Sequence, residues 1–185
     1  MRRFHLWAVA AALASTGAAA DPDAPGQGAP FGLSWGPVST VPRPSRAERE
    51  ANLTALHYPR GWPPATGPGT AEVVLVVCRD VGLQQVVWVG LPLTMEEIPV
   101  ARRAIHDEGV RLYGEPLKGP APNSEVWPGG RALLATREVA GGKGELVMTA
   151  FGPGYVACSD THRTETGHPA GAHVGDLIEG GHKGH

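Results

Sequence analysis

The residues with the clearest chemical potential lie near the C-terminus, where histidines are concentrated. Five of the eight histidines fall within the last 24 residues of the 185-residue chain: His162, His168, His173, His182 and His185. Neutral imidazole is a good ligand for Zn²⁺, Cu²⁺ and Ni²⁺. The spacing is irregular, however, and structural zinc sites usually combine closer pairs with thiolates. The pattern therefore predicts either a metal-binding segment or a soluble tail that is merely rich in histidine.

The chain contains two cysteines, Cys78 and Cys158, and each lies in a segment that reads as a β-strand. No Cys-X-X-Cys motif is present, which disfavours a redox-active thiol. In an oxidising compartment the default for such a pair is a disulfide. On the chain-entropy model, closing a loop of about eighty residues contributes roughly 4 kcal/mol to stability. We therefore predict a structural Cys78–Cys158 bond.

Ser34 occupies the centre of a Gly-X-Ser-X-Gly motif, and Asp160 and His162 follow it in the order of a hydrolase triad. That motif works as a nucleophile only between a strand and a helix. Here a polar leader precedes it and Pro37 follows closely. We predict no catalytic residues, and we interpret residues 31–35 as an edge strand with alternate side chains buried.

A hairpin is the clearest element that could position these groups. Residues 73–78 and 86–89 are apolar and rich in valine, whereas Arg79, Asp80, Gln84 and Gln85 lie between them. A membrane helix would bury those polar groups at a cost of several kcal/mol. A turn near residues 80–82 leaves them in water, so two antiparallel strands are predicted.

The remaining elements follow from capping residues and apolar spacing. Ser45 and Glu48 suggest a capping box that opens a helix over residues 45–56, and Thr94 and Glu97 suggest a second one. The second helix is predicted to carry an apolar stripe and to end near Gly109. Its stripe consists of Ile98, Ala101, Ile105 and Leu112. Further strands are predicted over residues 131–139, 145–151 and 155–159.

Strands in runs, without βαβ alternation, predict an α+β domain over residues 31–160. We expect a single small antiparallel sheet of four or five strands, with one or two helices packed on one face. Residues 21–30 are expected to be a disordered leader, and residues 161–185 a disordered His/Gly-rich tail.

Residues 1–20 have the features of a cleaved signal peptide. Arg2 and Arg3 precede the apolar run of residues 6–14, and Ala18 and Ala20 fit a cleavage site. The run is too short for a stable membrane span, and either Sec or twin-arginine export fits it. The mature chain is then expected to be periplasmic or secreted.

Removing the signal lowers the basic residues from 16 to 14, against 18 acidic residues, so the mature net charge is about −4. Nucleic-acid binding needs a basic surface that displaces counterions from phosphates. We therefore expect no nucleic-acid partner.

The Phe-Gly-Leu-X-Trp-Gly sequence at residues 31–36 resembles the start of small bacterial exported proteins of unknown function. The Leu-Tyr-Gly-Glu-Pro at residues 112–116 is similar in style to theirs. The resemblance covers about ten residues, implies a compact α+β domain and assigns no catalytic residue.

Two functional hypotheses follow. The first is an exported, non-enzymatic α+β module that binds a small ligand or a protein partner. The alternative is a periplasmic protein that binds Zn, Cu or Ni through the histidine-rich C-terminal residues.

Overall fold

Two valine-rich strands form the centre of the molecule, as the β-branched runs predict. The structure is a computed structural model that describes residues 28–170. Strands are numbered in chain order. β3 (Thr70–Cys78) and β4 (Gly82–Gly90) form an antiparallel hairpin with a tight turn at residues 79–81. The predicted hairpin of residues 73–89 is therefore confirmed.

The sheet is larger than the predicted four or five strands. The other strands are β1 (Arg46–Glu50), β2 (Leu53–Pro59), β5 (Leu117–Lys118), β6 (Glu125–Val126), β7 (Ala132–Val139) and β8 (Lys143–Phe151). All eight are antiparallel, in the order β1-β2-β3-β4-β8-β7-β6-β5. The expectation of a small sheet is wrong, because two strands were predicted as a helix and two are only two residues long.

Both faces of the sheet are buried, which explains why the central strands lack polar alternation. Successive strand residues point to opposite faces. Val73 and Leu75 of β3 belong to the larger apolar cluster, together with Ile98 and Ile105 of helix α1 (Ile98–Tyr113). Val74, Val76 and Cys78 belong to a second cluster that includes Cys158 of helix α2 (Tyr155–Thr166). The helices therefore cover opposite faces, not one face as expected.

The helix predicted for residues 45–56 is instead the β1–β2 hairpin. Arg46, Glu48 and Glu50 alternate along β1, and this strand lies at the edge of the sheet with its side chains largely exposed. The chain turns at Ala51 and Asn52, where Ala51 has a φ of 49°. The Ser45 hydroxyl donates to the carbonyl of His57 at 2.8 Å and caps no helix. Residues 46–50, four of which are charged, therefore form an edge strand and not a helix.

Helix α1 largely follows its prediction. The Thr94 amide donates to the Glu97 carboxylate at 2.9 Å, while the helix itself begins at Ile98 with Pro99 in its first turn. The predicted stripe faces the core, with three of its members buried and Ala101 packed against them. Gly109 does not end the helix. It packs against Trp127, and the helix ends before Gly114, which has a φ of 81°.

The segment predicted as a last strand, residues 155–159, is the first part of α2. The helix continues through residues that were expected to be a disordered tail, and it ends at Gly167, which has a φ of 87°. Residues 161–170 are thus ordered, whereas residues 171–185 lie outside the described residues. The residues of the predicted signal peptide, and residues 21–27 of the predicted leader, lie outside them as well.

The expected edge strand at residues 31–35 is a loop. Phe31 is buried, and Leu33 and Trp35 pack against the larger cluster, but only Gly36 forms a β-bridge, with Leu83. Neither helix within residues 28–170 is long and apolar enough to cross a membrane.

Candidate metal centre

Strand β1 brings a carboxylate to the face of the sheet that α2 covers. Glu50 pairs with Leu53 across the hairpin, so the two side chains point to the same face. Leu53 lies in the apolar cluster beneath α2. Glu50 is the last residue of β1, which places its carboxylate beside the C-terminal part of that helix.

The disulfide attaches α2 to the sheet and orients its buried face. Cys158 is bonded to Cys78 of β3, so the predicted pair is present in the structure. One helical turn later lies His162, which is 1% exposed. Residues four apart share a helix face, so the disulfide directs the His162 ring towards the sheet and towards Glu50.

A tight C-terminal turn then places His168 beside His162. The Gly167 amide donates to the Arg163 carbonyl at 2.8 Å, and the Thr166 hydroxyl donates to the His162 carbonyl at 2.8 Å. The His168 amide donates to the Thr166 hydroxyl at 3.3 Å. The two imidazole rings meet edge to face, with their centroids 5.3 Å apart.

The chain after His168 is held to α2 by two polar side chains. The Ser159 hydroxyl accepts from the Ala170 amide at 3.1 Å, and the Tyr155 hydroxyl donates to the Ala170 carbonyl at 2.7 Å. Burial raises the pKa of Tyr155 above its usual value, because the interior disfavours the phenolate. Tyr155 therefore keeps its proton and stays a donor at neutral pH.

Glu50, His162 and His168 form a group of three potential metal ligands. One ligand atom from each lies within 4.8 Å of the others. His162 Nε2 is 3.4 Å from Glu50 Oε2, and His168 Nε2 is 3.5 Å from Glu50 Oε1. The side chains of Glu50 and His168 are each 38% exposed, so solvent reaches one side of the group while the His162 side is closed.

Asn52 completes the inner side of the group. Its side-chain NH₂ donates to the Cys158 carbonyl at 3.1 Å, and its Oδ1 lies 3.1 Å from His162 Nδ1. Asn52 is 5% exposed. The sequence analysis placed Asn52 and Glu50 in a predicted helix, and it therefore identified neither as part of a site. No local signal identifies either residue, because Arg49 interrupts any alternation of charged and uncharged residues along residues 46–50.

His57, the other fully buried histidine within residues 28–170, has a different environment. Its Nδ1 lies 2.8 Å from Glu72 Oε1. The Arg46 guanidinium lies 3.1 and 3.4 Å from the two ring nitrogens. A permanent cation already occupies the position beside this ring, so we interpret the His57 cluster as a structural network.

The residues predicted as ligands are therefore divided. The structure brings His162 and His168 together with Glu50, and it does not describe His173, His182 and His185. Ser34 lies on the face of the sheet covered by α1, whereas Asp160 and His162 are on α2, so the serine motif assembles no triad with them.

A groove of about 430 Å³ lies beside Ser34. Its lining is mainly apolar, and Ser34 and Thr40 contribute the hydroxyl groups. The lining consists of Phe31, Gly32, Leu33, Ser34, Pro37, Val38, Thr40, Val41, Trp62, Pro63, Pro64, Ala65 and Leu83. No charged residue is among these lining residues, so a ligand in the groove would be held by shape complementarity and apolar contacts.

Comparison with known proteins yields no match: no family model, no curated protein and no solved structure is significantly similar to this chain.

Proposed function

We propose that this is an exported protein that binds a divalent transition-metal ion between Glu50, His162 and His168. The observation that carries the proposal is the convergence of three ligand groups from separate parts of the chain. Glu50 comes from β1, His162 from α2 and His168 from the turn after it. The proposal is the metal-binding alternative of the sequence analysis, with the site moved to residues that the fold brings together.

The separations between the ligand atoms support a zinc-sized ion. Ligands about 2.0–2.1 Å from a tetrahedral Zn²⁺ lie roughly 3.3–3.4 Å from one another. The two nitrogen–oxygen distances in the group are 3.4 and 3.5 Å. The two distances end on different oxygens of Glu50, and one ligand atom from each residue lies within 4.8 Å of the others, so the side chains must move closer together to coordinate a cation.

The donor types favour Zn²⁺, Cu²⁺ or Ni²⁺ over Mg²⁺ and Ca²⁺. Two imidazoles and one carboxylate suit borderline metals, whereas Mg²⁺ and Ca²⁺ prefer oxygen donors alone. Three protein ligands with one solvent-facing side leave a further coordination position for water or for another group. His173, His182 and His185 remain predicted ligands, and they follow the site in the chain.

The groove near Ser34 is the place where a small apolar ligand would bind if the first sequence hypothesis is correct. Its lining carries no charged side chain and no group of perturbed pKa, so nothing in it selects a particular ligand. The histidine–glutamate group carries specific chemistry, and we therefore favour metal binding.

The exported location is part of the proposal. The disulfide is consistent with an oxidising compartment. Together with the predicted signal peptide, it supports a periplasmic or secreted protein.

Calorimetric titration of the mature chain from Asp21 with Zn²⁺, Cu²⁺ and Ni²⁺ tests the proposal. We expect one site that is weakened at least tenfold by His162→Ala or His168→Ala, because each change removes a ligand. The matched control is His106→Ala, whose ring contacts Glu125 at 3.0 Å on the other side of the sheet. This variant is expected to bind metal as the native chain does.

A second variant, with His173, His182 and His185 all changed to alanine, separates the site from the tail. Retained binding in this variant supports the proposed site. The proposal is overturned if the native chain binds no metal, or if the triple variant loses binding while His162→Ala and His168→Ala keep it.

A further inference from the structure

Asn52 joins the disulfide to the metal-binding histidine through its two amide atoms. Its NH₂ group can only donate, and it points to the Cys158 carbonyl at 3.1 Å. The same nitrogen lies 3.6 Å from Cys158 Sγ. Because the nitrogen is directed to Cys158, the oxygen Oδ1 is directed to His162 Nδ1 at 3.1 Å.

An amide oxygen can only accept a hydrogen bond, so this contact assigns the proton on the imidazole. Nδ1 of His162 is assigned as the protonated nitrogen that donates to Asn52, because Oδ1 is the nearer acceptor, at 3.1 Å, whereas Glu50 Oε2 lies 3.4 Å from Nε2. In the neutral ring, Nε2 then carries the lone pair. Nε2 is the atom that faces Glu50 at 3.4 Å.

We infer that Asn52 is a positioning residue that holds His162 in the Nδ1-protonated form and directs the Nε2 lone pair to the metal. The part of the inference that concerns metal rests on the proposed function. Metal-binding histidines generally donate their second nitrogen to a carboxylate, a carbonyl or water, and this bond fixes the tautomer and the ring orientation. Asn52 is 5% exposed, so water does not replace it in this role.

The fixed orientation of Asn52 depends on α2. The Cys158 carbonyl has two lone pairs, one of which is available beyond the helical hydrogen bond. Rotation of the Asn52 amide by half a turn would place Oδ1 against this carbonyl and the NH₂ group against His162. The carbonyl therefore excludes the amide orientation that would stabilise the other tautomer.

The direct test is nitrogen-15 NMR of the imidazoles in the metal-free protein, at a pH at which they are neutral. We expect His162 in the native chain to carry its proton on Nδ1. In Asn52→Leu, which has similar volume and no hydrogen-bonding group, we expect this preference to be lost and Zn²⁺ affinity to fall about 10–100-fold.

Asn52→Asp separates the two contacts, because a carboxylate oxygen can still accept from Nδ1 but cannot donate to the Cys158 carbonyl. This variant is expected to keep the Nδ1 proton and to be less stable than the native chain, since its second oxygen faces that carbonyl. The matched control is Gln85→Leu, which removes another buried amide, in β4, whose Oε1 accepts no hydrogen bond from residues 28–170. It is expected to leave both the tautomer and the affinity unchanged.

The inference is overturned if native His162 is protonated on Nε2, or if folded Asn52→Leu keeps both the tautomer and the zinc affinity. A native chain that binds no zinc contradicts the proposed function. The assignment of the His162 tautomer is still tested in that case, because the NMR measurement uses the metal-free protein. If Asn52→Leu does not fold, the native tautomer and Asn52→Asp decide it.

Discussion

Gly82 lies where the N-terminal loop touches the central hairpin. The Leu83 amide donates to the Gly36 carbonyl at 2.6 Å, and the Gly36 amide donates to the Leu83 carbonyl at 3.2 Å. Gly82 has a φ of 73°, and a Cβ atom there would lie 2.0 Å from the Gly36 oxygen. This position therefore excludes a side chain both through its backbone conformation and through its contact.

We predict that Gly82→Ala lowers the free energy of unfolding by about 2–4 kcal/mol, from a strained φ and from overpacking against backbone. Urea denaturation of the two proteins measures the difference. Gly142→Ala is the control, since Gly142 has a φ of 68° and open space around it. This control should cost only the strain, about 1–2 kcal/mol. Equal losses in the two variants would contradict the proposed contact.

At the scale of residues, part of the candidate site could be predicted. Imidazole chemistry alone identifies His162 and His168 as possible ligands. Glu50 and Asn52 could not be identified, because their role depends on a hairpin register that places them under α2. A residue becomes a ligand through its neighbours in space, and the pairing of Glu50 with Leu53 is a long-range outcome of the sheet.

At the scale of elements, α2 shows how packing overrides local preference. Residues 155–159 are mainly apolar and follow a Gly-Pro-Gly turn, which suggests a strand, whereas the helix that they begin buries only Cys158, Ser159 and His162. A helix with so small a buried face gains little from apolar burial. The disulfide and the polar contacts of its C-terminal turn hold the helix in place, and neither can be recognised from the local sequence pattern.

We predict that changing Cys78 and Cys158 together to serine costs about 4 kcal/mol of stability, since the bond spans 80 residues. The same variant should bind Zn²⁺ at least tenfold more weakly, because α2 carries His162 and precedes His168. Serine is preferred to chemical reduction, since free thiolates are themselves zinc ligands.

Chemical denaturation and calorimetry measure the two effects on the double variant. The native chain with its disulfide intact is the reference. Zinc affinity equal to that of the native chain, in a folded double variant, would show that the disulfide does not hold the site together.

At the scale of the whole molecule, the fold disfavours the phenolate form of all three tyrosines of the chain. Burial raises the pKa of Tyr58, Tyr113 and Tyr155 above the usual value. In the unfolded chain a tyrosine has a pKa of about 10. Below that pH both states are protonated, and stability is unaffected. Above it the unfolded chain loses protons that the folded chain retains, so stability falls as pH rises.

We predict that the free energy of unfolding declines above about pH 10, by up to roughly 1.4 kcal/mol per pH unit for each such tyrosine. Denaturation at a series of pH values measures the slope, and phenolate absorbance should appear together with unfolding. Tyr113→Phe is the control, and it should reduce the slope by the share of one tyrosine. Phenolate absorbance that rises at pH 10 in the folded chain would contradict the prediction.

The size of the sheet was the least predictable property of the whole molecule. The apolar strands β3, β4, β7 and β8 could be predicted from composition, because their side chains are buried on both faces or against a helix. Strand β1 is charged and β5 and β6 have two residues each, so these strands exist only because a neighbouring strand offers hydrogen bonds. Such pairing is invisible in a local window of sequence.

The position of β8 has a consequence for the order in which the chain is made. This strand lies between β4 and β7, in the middle of the sheet, yet it is the last strand in sequence order within residues 28–170. During synthesis β4 is complete some fifty residues before its partner, and its valine-rich edge stays open in the meantime. A chain that stops before Lys143 keeps that edge open permanently, so early termination yields a fragment that is prone to aggregate.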